Sequence, residues 1–133
     1  MINYPEKAVY TYDDLVDILR ILRAPGGCPW DREQTHESNR RNFLEEAYEA
    51  AEAFDLDDPE LMKEELGDVL FAAVKVGRFC GVDPEAALSK TCEKFIARFC
   101  KVEETVNARG EDMSALPLDE LMALWNDAKE QLR

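Results

Sequence analysis

The sequence predicts an all-α fold, an antiparallel bundle of about five helices, on three observations. No segment reads as a strand. Five stretches carry apolar residues three and four apart, the spacing of one helix face. Gly- and Pro-rich breakers separate these stretches, and the links are short enough to make successive helices antiparallel neighbours.

The first helix begins near Thr11, where Thr11-Tyr12-Asp13-Asp14 resembles a capping box. Leu15, Ile18, Leu19 and Leu22 keep helical spacing until Ala24-Pro25-Gly26-Gly27 breaks it. A connecting segment, Cys28 to His36, carries a short helical turn from Asp31, with Gln34 three residues on. A long helix follows from about Thr35 to Phe54 and closes at Asp55-Leu56-Asp57-Asp58-Pro59. Pro59 suits the first turn of the next helix, which ends near Cys80 before Gly81. Asp83 caps another, opened by Pro84 and running to about Asn107. The last spans roughly Leu118 to Leu132. No repeat divides the chain, and residues 1–133 read as one domain.

The 133 residues, 46% hydrophobic and 34% charged, suit a folded domain with a modest core rather than a disordered chain. No apolar run matches a membrane span, and Met1-Ile2-Asn3-Tyr4-Pro5-Glu6 lacks the basic and apolar regions of an export signal. The expected location is cytoplasmic. A net charge of −13 and a pI near 4.4 argue against nucleic acid or an anionic membrane as partner. They leave a phosphorylated small molecule open, because a bound cation reverses the local field. Cys28, Cys80, Cys92 and Cys100 form no C-x-x-C pair, and His36 is the one imidazole, so zinc is not expected. Free buried thiols are.

Two acidic pairs stand out. On the helix from Pro59, a wheel groups Leu61, Met62, Leu66, Val69, Leu70, Ala72, Ala73, Val76 and Phe79 into one apolar arc. Glu65 falls inside that arc and Asp68 at its border, while Glu64, Lys75 and Arg78 fall outside. On the preceding helix Phe43, Leu44, Ala47, Ala50, Ala51 and Phe54 form the apolar side, with Glu46 beside it and Glu49 one step further out. A carboxylate on a core-facing surface is costly unless a cation or hydrogen-bond donors meet it. Three-residue spacing brings each pair together on its helix, so facing helices can gather four carboxylates around one point. The competing expectations are solvated acidic faces and a salt bridge to Glu65. An all-oxygen set without histidine suits Mg²⁺ or Mn²⁺, not the di-iron sites of other bundles.

These residues resemble a known family. Gly27-Cys28-Pro29-Trp30-Asp31-Arg32-Glu33-Gln34-Thr35-His36 runs into Leu44-Glu45-Glu46-Ala47-Tyr48-Glu49, and Lys63-Glu64-Glu65-Leu66-Gly67-Asp68 follows. The series is similar to the MazG-like nucleoside triphosphate pyrophosphohydrolases, whose signature is Glu-Glu-x-x-Glu and then Glu-x-x-Asp. The resemblance extends through Glu93 to Phe99 and Leu124 to Lys129, covering about residues 10 to 132. It implies an all-α homo-oligomer, dimer or tetramer, that hydrolyses a nucleoside triphosphate to monophosphate and pyrophosphate with Mg²⁺. It implies Glu46, Glu49, Glu65 and Asp68 as metal ligands. It also implies nucleotide contacts from Lys94, Arg98, Trp125 and Lys129. Within that chemistry Glu46 is the candidate to orient or deprotonate water, with Glu49 in reserve.

Leu88, Cys92, Phe95, Phe99, Val102 and Val106 form a stripe, with Lys94, Arg98 and Lys101 along one flank. Those cations suit phosphate, or pairing with nearby carboxylates. Trp125 and Lys129 share a face; Leu121, Leu124, Ala128 and Leu132 around them equally suit core packing. Trp30 reads as a hydrophobic anchor with a pocket-wall role open, His36 as a surface or capping residue, and Arg40-Arg41 as surface. The alternative function is a non-catalytic acidic helical module that binds a protein partner or buffers a divalent ion. It predicts no turnover and tolerance of Glu65→Gln.

Overall fold

The computed structural model describes residues 4–133. Met1, Ile2 and Asn3, part of the segment read above for an export signal, lie outside them. The described residues are helical, without strands: α1 Tyr12–Arg23, α2 Pro29–Arg32, α3 His36–Asp55, α4 Pro59–Phe79, α5 Pro84–Ala108 and α6 Leu118–Gln131, with a 3₁₀ turn at Met113–Ala115. None of these helices is long and apolar enough to cross a membrane. The short turn expected from Asp31 starts two residues earlier, because Pro29 is pre-set for a first helical turn.

Local chemistry sets the boundaries. The Thr11 hydroxyl accepts from the Asp14 amide, and the Asp14 carboxylate accepts from the Thr11 amide at 2.9 Å. The same reciprocal pair, Thr35 with Ser38, opens α3. The Asp58 carboxylate accepts from the Glu60 and Leu61 amides and starts α4 behind Pro59. Between α1 and α2 the Gly27 amide donates to Ala24 and the Cys28 amide to Leu22. A Cβ on Gly27 would sit 2.4 Å from the carbonyl oxygens of Ile21 and Leu22, so this turn admits no side chain there.

The chain divides into two compact units, the first running to Pro84 and the second Glu85–Arg133. In the first, α3 packs along α4, and α1 packs on α2 and α4. The α3–α4 pair is antiparallel: Asn42 meets Lys75, Glu46 and Glu49 meet Glu65, and Ala53 shares a pocket with Met62 beside the connecting turn. Ala53, fully buried, and Ala72 let these helices approach closely, while Leu19 and Val74 complete the buried apolar set. In the second unit Val102, Val106, Leu124 and Ala128 form the core, with Met113, Leu116 and Trp125 against it. The Arg109 guanidinium ties the end of α5 to Glu120 of α6 at 3.0 Å.

The apolar sides expected on the wheel are not all the packed sides. On α3 the face toward α4 carries Asn39, Asn42, Glu46, Ala50 and Ala53, while Phe43, Leu44, Ala47, Ala51 and Phe54 are exposed, Phe54 at 74%. On α4, Leu66, Leu70 and Ala73 are exposed and Val74, left out of the arc, is buried. On α5 only Val102 and Val106 of the expected stripe are buried. The thiols are free as expected, but Cys80, Cys92 and Cys100 are exposed and Cys28 is half-buried.

Candidate functional site

Asn39, Asn42, Glu46 and Glu49 follow one another at three- and four-residue intervals on α3, so they form a polar line down one side of the helix. Antiparallel pairing sets this line against α4. One carboxylate oxygen from each of Glu46, Glu49 and Glu65 lies within 4.8 Å of the others, with Glu46 and Glu65 half-buried and Glu49 exposed. Asp68 is exposed on α4 and is not in this group of three, although its charge reaches Glu65.

Among the described residues Glu65 has neither an ion pair nor a hydrogen bond, so the salt bridge weighed above is absent. Burial pushes its carboxyl above the ordinary range, and the negative charges of Glu49, Glu64, Asp68 and Glu46 push it further. Glu46 is held differently. The Asn42 Nδ2 donates to its Oε1 at 2.7 Å, and the Lys75 ammonium donates to Asn42 Oδ1 at 3.2 Å. Neither Asn42 nor Lys75 stands out as a site residue from the sequence pattern. The signal for Asn42 is its place four residues before Glu46; the signal for Lys75 is tertiary, since 33 residues separate it from Asn42.

The other expected site residues are dispersed. Trp30, the second residue of α2, is 77% exposed, so among the described residues it is not a buried hydrophobic anchor. His36 is exposed at the start of α3, and Arg40 and Arg41 are exposed, Arg41 pairing with Glu37 at 3.5 Å. The second unit carries Lys94, Arg98, Trp125 and Lys129. Lys94 and Lys129 are exposed; Arg98 is half-buried, its Nε enclosed with no hydrogen-bond partner among the described residues. Lys101 pairs with Glu104 at 3.5 Å, the intrahelical pairing weighed above. The Trp125 ring meets Phe95 with centroids 5.3 Å apart and lines an apolar cavity of about 330 Å³ with Phe99, Val102 and Leu121.

The profile of the MazG nucleotide pyrophosphohydrolase domain matches residues 34–102, which contain all four acidic positions. A nucleoside triphosphate pyrophosphohydrolase/pyrophosphatase MazG from Thermotoga maritima is 49% identical over 69 residues, 52% of this chain and 27% of its own length. An uncharacterized protein of Bacillus subtilis, YabN, is 35% identical over 130 residues, 94% of this chain and 25% of its own. The nucleoside triphosphate pyrophosphohydrolase of Escherichia coli is 42% identical over 84 residues, 63% of this chain and 31% of its own. The chain thus spans about a quarter to a third of the length of these curated relatives. Among solved structures, a MazG-related protein from Thermotoga maritima superposes with a TM-score of 0.62 at 28% identity, over 89% of this chain and 98% of that one. A matching profile across just over half of the residues, the acidic signature inside it, and an all-α fold shared with a solved relative place this chain in the MazG nucleotide pyrophosphohydrolase family.

Proposed function

We propose that this chain hydrolyses nucleoside triphosphates to the monophosphate and pyrophosphate, using a divalent cation at the α3–α4 carboxylates. The observation that carries the reading is the convergence of Glu46, Glu49 and Glu65 with no protein cation beside Glu65. The donor set fits Mg²⁺, or Mn²⁺, because every ligand is a carboxylate oxygen and no thiolate or imidazole stands among them. Asp68, one turn beyond Glu65, is the proposed fourth ligand. A bound cation would supply charge neutralisation at the phosphates and Lewis-acid activation of water.

The chain's own residues do the rest. Water adds across one phosphoanhydride bond; one side leaves as nucleoside monophosphate, the other as pyrophosphate, and a proton is released. Glu46, held in orientation by Asn42, is the proposed group that orients the water and takes that proton, with Glu49 in reserve. Lys94 and Arg98 are proposed to steady the polyphosphate. Trp125 and Lys129 are proposed to contact the nucleoside, and Trp30 to form part of the pocket wall.

The chain is further proposed to act in the cytoplasm as a homo-oligomer, dimer or tetramer. Support comes from the apolar side of α3, where Phe43, Leu44, Tyr48 and Phe54 are exposed, and from Leu66, Leu70 and Phe71 on α4. A second copy would cover them.

The deciding experiment is a triphosphate panel incubated with and without Mg²⁺, with products resolved. Monophosphate plus pyrophosphate, lost on Glu65→Gln or Asp68→Asn, is expected. Diphosphate plus phosphate, or no turnover of any triphosphate, would favour the non-catalytic acidic module instead.

A further inference from the structure

We infer that the basic cavity lined by α1 to α4 binds the pyrophosphate half of the substrate. This rests on the hydrolysis proposed above. The cavity is about 290 Å³ and is lined by Arg20, Arg23, Lys75 and Arg78, with Asp31 as its single carboxylate and Asn39 in its wall. Four cations against one anion is the reverse of a chain whose net charge is −13. The volume sits at the bottom of the range of about 300–1,000 Å³ usual for small-molecule sites, room for a phosphate group or two and not for a whole nucleotide.

Arg20 pairs with Asp17 at 3.3 Å on the surface, and the Arg23 guanidinium rests over the Phe79 ring at 5.1 Å. Among the described residues Arg23, Lys75 and Arg78 have no ion pair. Asn39 supplies a second, independent sign. It is 3% exposed, its Nδ2 donates to the Thr35 carbonyl at 2.9 Å, and its Oδ1 is buried with no partner. A buried acceptor left open in the wall of the cavity has a place for a donor from within it, a water or a ligand hydroxyl. A singly protonated pyrophosphate meets both demands: anionic oxygens for the cations and one P–OH for Asn39.

The cavity also connects to the acidic cluster. Lys75 lines it and donates to Asn42 at 3.2 Å, and Asn42 donates to Glu46 at 2.7 Å. Lys75 therefore lies two hydrogen bonds from the carboxylate proposed to orient water, and an anion gripped by Lys75 lies three. Lys75 would steady the bound phosphates and, through Asn42, fix Glu46.

Inorganic pyrophosphate binding to the full chain, measured by calorimetry with EDTA present, tests this without a cation to recruit the anion elsewhere. The wild type is expected to bind, and Arg78→Ala and Lys75→Met each to weaken binding about tenfold or more, the worth of one charge-assisted hydrogen bond. Lys75→Arg should retain it, and a thermal melt shows that each variant is folded. No binding by the wild type, no weakening in the folded Arg78→Ala protein, or displacement of pyrophosphate by a nucleoside monophosphate would overturn the assignment. Pyrophosphate binding that obeys these variants, in a protein that turns over no triphosphate, keeps the anion site and discards the hydrolysis. Turnover without pyrophosphate binding does the opposite.

Discussion

Glu65 and Asp14 are half-buried and buried carboxylates with opposite fates. Asp14 accepts from the Lys7 ammonium, the Tyr4 hydroxyl at 2.6 Å and the Thr11 amide, which hold its carboxyl well below the usual carboxylate range. Its stabilisation is present above the unfolded value near 4 and is lost as pH falls through the lower folded value. Acid melts should show this loss below about pH 4, and Asp14→Asn should be less stable at neutral pH with a shallower acid limb. The Tyr4 hydroxyl, bonded to that carboxylate, is pushed up to about 12. Glu65 runs the other way. Its raised folded value means that its favourable contribution exists below the unfolded value and is lost as pH rises through the folded one. Glu65→Gln should therefore raise the neutral-pH melting temperature of metal-free protein, and, on the proposed cation site, remove the rise expected with Mg²⁺. A lower melting temperature would mean that the carboxylate stabilises the fold.

At the scale of elements, α3 has two working faces. The polar face meets α4 and presents Glu46 and Glu49, so the close approach depends on Ala53 and Ala72 rather than on large apolar side chains. Thr35 fixes where α3 starts, and hence the angular position of Asn42 and Glu46. Thr35→Ala should cost about 1 kcal/mol, read by chemical denaturation, since it removes one cap hydrogen bond. Gly27 sets how α2 leaves α1. Gly27→Ala should cost about 1–3 kcal/mol, because the methyl meets backbone carbonyls that cannot rotate away. A neutral result would show that the turn relaxes freely.

At the scale of the molecule, each unit keeps a small core. Leu124→Ala should cost about 2–5 kcal/mol in a denaturant melt, since Leu124 is one of four buried residues in the second unit. Phe54→Glu and Leu70→Glu test the proposed assembly. Both positions are exposed in one chain, so a monomer should tolerate them. Light scattering is expected to show the native chain as an oligomer and these variants shifted toward monomer; a monomeric native chain would end the oligomer proposal.

The sequence by itself determined the helices. The capping box at Thr11, prolines at 59 and 84 and the breaker after Ala24 act within a few residues, so composition reveals them, while the caps at Thr35 and Asp58 emerge with the structure. It also marked Glu65 as out of place, and the family signature named the acidic four. It did not determine which face of each helix packs. The wheel ranks faces by apolarity, yet α3 turns its polar line to α4 and leaves Phe54 and Tyr48 exposed. Asn42 and Lys75 were invisible for the same reason: their meaning lies in a contact across 33 residues. Only the tertiary structure put three carboxylates within 4.8 Å and set a basic cavity beside them, because pairing between helices, not periodicity within one, fixes which charges meet.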